Sequence, residues 1–207
     1  MIPDKRASTD YPVHELIAAR WSPYTFQDRP VPDADLRSLF EAARWAASSF
    51  NEQPWTYIVA TKEHPEQFQR LLSCLFEFNQ GWAKAAPVLA LGVVTLKSAR
   101  DGRDNPAAFH DLGLAAGNLL VEATARGIDV HQMMGIFPDK AREIFAIPTG
   151  HEARTALAIG YRGDPTRFSE ALQQREQRPR QRKPLSQFVF SDTWGNPSPL
   201  VRQPSDR

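Results

Sequence analysis

The sequence predicts one domain in which helices cover a central sheet, and three observations carry that reading. Pro87 to Thr95 is an almost wholly apolar run of strand length, the pattern of a strand buried on both faces. Stretches with helical spacing of apolar residues alternate with shorter strand candidates on either side of it. At 207 residues with 42% apolar content, the chain has the size and composition of one domain with an ordinary core. Composition divides it into a main body at residues 1–170 and a C-terminal arm of the same domain at 171–207.

Residues 1–10 are polar and are expected to be disordered at the start. His14 to Arg20 reads as a short helix ending near Trp21-Ser22-Pro23. Pro32-Asp33 opens the next helix, with Asp33 as its N-cap. Leu36, Leu39, Phe40 and Ala43 fall at offsets 0, 3, 4 and 7, which is one helix face, and the helix ends before Ser48. Trp55 to Thr61 is a strand candidate with Pro54 just before it. His64 to Asn79 reads as one helix with Phe68, Leu71, Leu72, Leu75 and Phe76 on one side.

Asp104 to Arg126 is the longest helix. Phe109, Leu112, Ala116, Leu119, Leu120 and Ala123 line one face, while Gly113, Ala115 and Gly117 remove bulk from much of the remainder. Each interior glycine costs on the order of 1 kcal/mol in helix propensity. Close approach of another backbone offsets that cost, and the second chain of a homodimer is a candidate for the neighbour. Gly127 caps this helix. Asp129 to Met134 is a short strand, Pro138 to Phe145 a helix with proline in its first turn, and Ala153 to Tyr161 a last core strand. After Phe168 the character changes: residues 173–184 carry Arg175, Arg178, Arg180, Arg182 and Lys183 against the single acid Glu176. Its later aromatics, Phe188, Phe190 and Trp194, are isolated in Pro- and Gln-rich sequence and are expected to pack across the partner subunit.

A net charge of +1 gives no global field to attract nucleic acid or an anionic membrane. The single cysteine, Cys74, excludes an internal disulfide, fits a reducing compartment, and sits in an apolar run as a buried, inert thiol. No stretch approaches the length of a membrane span, and the N-terminus has no signal-peptide core, so a soluble cytoplasmic protein is expected.

The most informative stretch is Arg44-Trp-Ala-Ala-Ser48-Ser49-Phe50-Asn51-Glu-Gln53-Pro54-Trp55. Ser48, Ser49, Asn51 and Gln53 put four uncharged hydrogen-bonding groups into six residues beside aromatics. Such a set reads the polar edge of a flat heterocycle while aromatics cover its faces; the bland alternative is a capped loop. Arg20 with Ser22 offers one fixed charge and one hydroxyl, and an arginine folding back from the arm supplies a second guanidinium. Two remote basic groups closing on one phosphomonoester form charge-assisted, bidentate hydrogen bonds. The other chemistries have weaker support. No Gly-x-Gly-x-x-Gly follows a strand, no phosphate-binding P-loop is present, and no Gly-x-Ser-x-Gly elbow supports a hydrolase. His110-Asp111 lacks partners at metal spacing and reads as structural, and His131 and His151 are isolated. The basic tail, as a charge run, is a solvated arm before it is a nucleic-acid site.

Seven segments in order resemble the FMN-dependent nitroreductase family: Arg20-Trp-Ser-Pro-Tyr-Thr-Phe26, Glu41 to Trp55, Asn79 to Pro87, His110-Asp-Leu-Gly113, His131-Gln-Met-Met-Gly135, Ala158-Ile-Gly-Tyr161 and Arg182-Lys-Pro-Leu185. The resemblance implies an α+β fold with a mainly antiparallel central sheet, helices on both faces, and an intertwined homodimer with two FMN sites at its interface. It implies that Arg20, Trp21, Ser22, Tyr24 and Arg182, with Arg180, surround the phosphate and nearby atoms. Ser48, Ser49 and Asn51 would come from the other subunit. Asn79 would reach the polar edge of the flavin, and Met133, Met134 and Gly135 would run past the ring with a backbone N–H directed at N5. Two positions depart from the pattern. Relatives usually carry Arg or Lys where this chain has Tyr24, which removes a cation that would stabilise the reduced, anionic flavin. Gly135-Ile136-Phe137 stands where relatives often have Gly-Phe-Asp.

The function so implied is an FMN oxidoreductase that takes a hydride from NADH or NADPH and then reduces a nitroaromatic, quinone or similar flat acceptor. Trp45, Phe50, Phe76 and Phe78 are candidates for a stacking slot or for ordinary core. The alternatives are an FMN carrier or sensor without turnover, or a flavin-fragmenting or dehalogenating enzyme of the same fold.

Overall fold

Seven of the eight residues of the strand Val88–Thr95 are buried, and the rest of the molecule is layered around it. In the computed structural model, which describes residues 5–201, the chain runs α1 (Glu15–Ala19), α2 (Asp33–Arg44), β1 (Trp55–Thr61), α3 (Pro65–Leu72), α4 (Glu77–Ala83), β2 (Val88–Thr95), α5 (Ala108–Ala125), β3 (Asp129–Met133), α6 (Pro138–Phe145), β4 (His151–Gly160) and α7 (Glu170–Gln177). The strands form one sheet of order β1-β2-β4-β3, antiparallel throughout. This is the expected α+β architecture.

Side chains of β2 alternate between two cores. Leu89, Leu91 and Val93 meet Phe68, Leu71, Leu75, Trp82 and Ala141 on the face covered by α3, α4 and α6. Val88 and Ala90 meet Leu36, Leu39, Ala43, Ala115, Leu119 and Ala123 on the face covered by α2 and α5. A two-sided apolar strand can only be satisfied by cover on both faces, so the sandwich follows from that run. Cys74 is fully buried, and burial raises its thiol pKa. No helix among the described residues is long and apolar enough to cross a membrane.

Five expectations are corrected. The helix read over 64–79 is two helices, because the chain leaves helical geometry to pair with a distant loop. Phe76 N–H donates to Gly135 O at 2.9 Å and Phe137 N–H to Cys74 O at 2.7 Å. The long helix starts at Ala108 instead of Asp104, because Asn105 N–H is bonded to Leu96 O at 2.8 Å. Phe109 is 44% exposed, and the buried stripe of α5 runs through Leu112, Ala115, Ala116, Leu119 and Ala123. The disorder expected at residues 1–10 does not extend to Lys5, which is buried, or to Ala7, whose N–H bonds Ala18 O at 2.9 Å; residues 1–4 lie outside the described ones. Asp33 opens α2 one residue inside the expected cap, and Pro32 occupies the cap position.

The face of α5 holding Gly113 and Gly117 is open: a Cβ at either position would meet nothing within 4 Å. Gly163 is the opposite case. A Cβ there would stand 2.8 Å from the backbone carbon and oxygen of Phe26, atoms that cannot rotate away. Gly163→Ala is expected to destabilise the fold by roughly 1–3 kcal/mol, as overpacking does. A urea midpoint equal to the parent's would show that this approach relaxes.

Candidate functional site

Helix α1 ends at Arg20, and the next five residues are held by a carboxylate from the far end of the chain. Glu176 of α7 is 1% exposed. It accepts hydrogen bonds from the backbone N–H of Tyr24 (2.5 Å) and Thr25 (3.0 Å), from Thr25 Oγ1 (3.3 Å) and from Trp21 Nε1 (3.2 Å). A carboxylate is acceptor-only, so four converging donors suit it, and charge-assisted bonds to it are stronger than neutral ones. The same arm is tied to the N-terminal segment by Arg180, whose Nη1 donates to Lys5 O (2.7 Å) and Ala18 O (2.8 Å), and by Lys5 Nζ, which donates to Arg178 O (2.9 Å).

The loop thus fixed presents Arg20 and Ser22, joined by a 2.9 Å hydrogen bond from Nη1 to Oγ. Burial and the nearby positive charge of Arg182 both lower the Arg20 pKa, with Asp129 acting against them. Arg182 is exposed and bonds the Gln181 carbonyl. Neither Arg20 nor Arg182 forms a salt bridge with a carboxylate among the described residues. Two guanidinium groups within electrostatic range of one another, beside a hydroxyl and without a salt-bridge partner among the described residues, are a donor set of the chemistry that suits a phosphate dianion. Arg180 is committed elsewhere: its recorded bonds go to main-chain carbonyls.

Behind this loop, β3 carries His131. Its Nδ1 lies 2.8 Å from Pro23 O, and its ring packs edge-on to Tyr24 at 4.6 Å and against Trp82 at 4.4 Å. A carbonyl only accepts, so Nδ1 carries the hydrogen. Burial pushes the His131 pKa down, opposed by the bond to Pro23 and by Glu176. Beyond β3, Met133 is buried, Met134 is 75% exposed, and Gly135 O accepts from Asn79 Nδ2 at 3.0 Å. Asn79 Oδ1 accepts from Trp82 Nε1 at 3.3 Å. Glycine at 135 leaves room for this brace: a Cβ there would collide with Asn79 Nδ2, which would have to shift, and approach Phe76 to 3.2 Å.

A second group of expected site residues lies elsewhere. Ser48, Ser49 and Asn51 form a turn before β1 in which Phe50, Asn51 and Gln53 have φ of 51°, 58° and 48°. Non-glycine residues in this region cost of order 1–3 kcal/mol each and persist only where the surroundings impose them. Here Asp111, 1% exposed on α5, accepts from Ser49 N–H (3.0 Å). Glu52 accepts from Ser98 Oγ (2.6 Å) and Ala99 N–H (2.9 Å), and Ser48 Oγ from Gln53 N–H (3.1 Å). This loop leads into edge strand β1, whereas Met133–Gly135 leave the opposite edge strand β3. Three strand spacings of about 4.8 Å put them roughly 14 Å apart across the sheet. No hydrogen bond joins the two groups among the described residues. Trp45, Phe50, Phe76 and Phe78 are all exposed, at 44% or more, so none is core.

Glu176, His131 and Asp111 are the positioning residues that the sequence did not reveal as such. The available signal for Glu176 was its isolation as the one acid in a basic run.

A model of the nitroreductase family matches residues 17–161, which include both groups except the arm. The chain belongs to the nitroreductase family. It is 29% identical over 199 residues to the major NAD(P)H-flavin oxidoreductase of Aliivibrio fischeri, an alignment covering 77% of this chain and 91% of that protein. Among solved structures, an FMN-containing oxidoreductase superposes with a TM-score of 0.87 at 32% identity, over 95% of this chain and 100% of the other. A nitroreductase family protein of Clostridium difficile 630 superposes with a TM-score of 0.68 at 26% identity, over 86% and 97%.

Glu176→Ala in this nitroreductase family member would leave the buried donors of Tyr24 and Thr25 unpaired. A loss of about 3 kcal/mol in urea unfolding is expected, with a smaller loss for Glu176→Gln, which keeps one acceptor. His131 gives a pH signature. Its folded pKa lies below the unfolded value of 6.5, so the unfolded chain binds more protons as pH falls. Its contribution to stability is complete above 6.5 and is lost progressively below it. The urea midpoint is expected to fall between about pH 7.5 and pH 5.5, and His131→Gln to flatten that part of the profile.

Proposed function

We propose that this chain is an FMN-dependent oxidoreductase that uses NADH or NADPH as reductant and transfers two electrons, in a ping-pong sequence, to a flat acceptor such as a quinone or nitroaromatic. The observation that carries the reading is Arg20, hydrogen-bonded to Ser22 and with its pKa lowered by burial and by the nearby charge of Arg182, neither arginine having a salt-bridge partner among the described residues. That donor set fits the phosphomonoester of FMN. The nitroreductase fold and the names of the relatives agree with it: one contains FMN and another is an NAD(P)H-flavin oxidoreductase.

When bound, FMN supplies the redox chemistry, accepting a hydride and passing on the electron pair. The chain's part is to bind, orient and shield. Arg20, Ser22 and Arg182 hold the phosphate, with Trp21 and Tyr24 packed beside them. Arg180 keeps the arm docked so that Arg182 stays in range. Asn79, braced between Gly135 O and Trp82 Nε1, fixes the Met133–Gly135 loop as a rigid wall. The strained Ser48–Asn51 loop offers its hydroxyls and amide from the second subunit of a homodimer. Two features support that dimer: the two halves of the donor set stand at opposite sheet edges of one chain, and α5 leaves Gly113, Gly117, Phe109 and Leu114 open.

The test is the absorbance spectrum of the purified protein with added FMN, followed anaerobically. A protein-bound band near ~450 nm that bleaches on adding NADPH or NADH, and returns with a quinone, is the expected result. Arg20→Ala and Arg182→Ala should each weaken FMN binding by roughly tenfold or more, the scale of a lost charge-assisted contact, with the elution volume on gel filtration unchanged. Equal FMN affinity in both variants would refute the phosphate assignment. A bound flavin that no nicotinamide reduces would refute the enzyme.

A further inference from the structure

We infer that Arg175 is the cation that tunes the flavin in this chain, favouring its reduced form; the inference rests on the FMN reading above. Position 24 stands two residues after Ser22. The Tyr24 side chain brings no charge there, and its ring is closed in by Trp82 at 5.2 Å and His131 at 4.6 Å. His131 brings none either at neutral pH, since its burial favours the neutral ring.

Arg175 enters from the other side. Its guanidinium carbon lies 5.3 Å from the Tyr24 ring centre and 4.4 Å from that of Phe78, the residue before Asn79. One positive charge thus bridges the two segments that carry Tyr24 and Asn79. It is half-buried and has no carboxylate partner among the described residues. The acid next to it in sequence, Glu176, is already engaged by Trp21, Tyr24 and Thr25. That engagement also explains why Arg175 is held: Glu176 pins α7 against the 21–25 loop, and its neighbour is carried over Tyr24. Aromatic faces attract a guanidinium but do not neutralise it, so the charge remains available to a ligand beside Asn79.

Two classes of arginine then do different work. The phosphate charge is the same whether the flavin is oxidised or reduced, so Arg20 and Arg182 act equally on both forms. The isoalloxazine ring is neutral when oxidised and gains negative charge at its N1–C2 carbonyl side when it takes up a hydride. A cation near that side binds the reduced form more tightly than the oxidised one, and only such a group shifts the potential.

The experiment is to measure the midpoint potential of bound FMN by dye equilibration, with oxidised-FMN affinity and thermal stability, in the parent, Arg175→Met and Arg175→Lys. In Arg175→Met the preference for reduced over oxidised flavin is expected to fall on the order of tenfold. For a two-electron couple that is about 30 mV more negative. Oxidised FMN should bind nearly as in the parent, and Arg175→Lys should recover most of the potential. Arg175→Gln, which keeps polarity and length, gives the same reading if Met is not tolerated. A parent-like potential in a flavin-loaded, folded variant overturns the inference. So does loss of oxidised FMN from a folded variant, which would make Arg175 a general anchor. A parent that binds no FMN overturns the cofactor reading itself, a separate and recognisable outcome.

Discussion

The site depends on one buried carboxylate. Glu176 gathers donors from Trp21, Tyr24 and Thr25, residues more than 150 positions away in sequence. Without it the loop after α1 would have buried N–H groups and no partner, and Arg20 and Ser22 would not be held at one spot. The bond works in both directions. It shapes the N-terminal loop, and it docks α7, from which Arg175, Arg180 and Arg182 are placed. The basic run at 173–184 becomes a constructed electrostatic surface because its single acid is spent on anchoring.

The second constraint is strain. Three non-glycine residues in left-handed geometry within four positions, Phe50, Asn51 and Gln53, would not persist in a free loop. Asp111 from below and Glu52 to the Ser98–Ala99 turn impose the shape. The result is an exposed, braced cluster of hydroxyls, amides and aromatics, with Arg100 standing 4.0 Å over the Phe50 ring. Its separation from the Arg20 loop by the width of the sheet and the open glycine face of α5 are the two features on which the proposed two-subunit site rests. In such a proposed site rigidity in both halves would matter, because binding a cofactor between two chains leaves little free energy for ordering loops as well.

Much of the fold was legible because it rests on local pattern. The strand at Trp55–Thr61 and the helix at Pro138–Phe145 are found with the expected bounds, since alternation, flanking prolines and a proline at the first helical turn are local signals. The failures share a cause. The helix read over 64–79 breaks because Cys74 and Phe76 pair with residues 135–137, a bond between segments 60 residues apart that no window could detect. Phe109 fits the helical stripe by spacing, yet it turns outward against Arg154 at 4.2 Å, because which face of a helix is buried depends on what lies beside it. Asn79 was legible as a candidate site residue, but its use as a brace for Gly135 was not.

By itself the sequence determined the layered α+β core, the family, and the two clusters of polar and basic residues that mark its site. Hydrophobic period and residue chemistry are properties of neighbouring positions, and they survive without coordinates. Only the tertiary structure decided which of those residues are free to act. Arg175, Arg180 and Arg182 are indistinguishable as a charge run; folded, Arg180 ties down the chain end, Arg182 is left without a salt-bridge partner among the described residues and Arg175 stands over Tyr24, while the lone acid Glu176 is buried as the anchor. Whether a charge is spent or available is set by its partners across the fold, and those are fixed by packing.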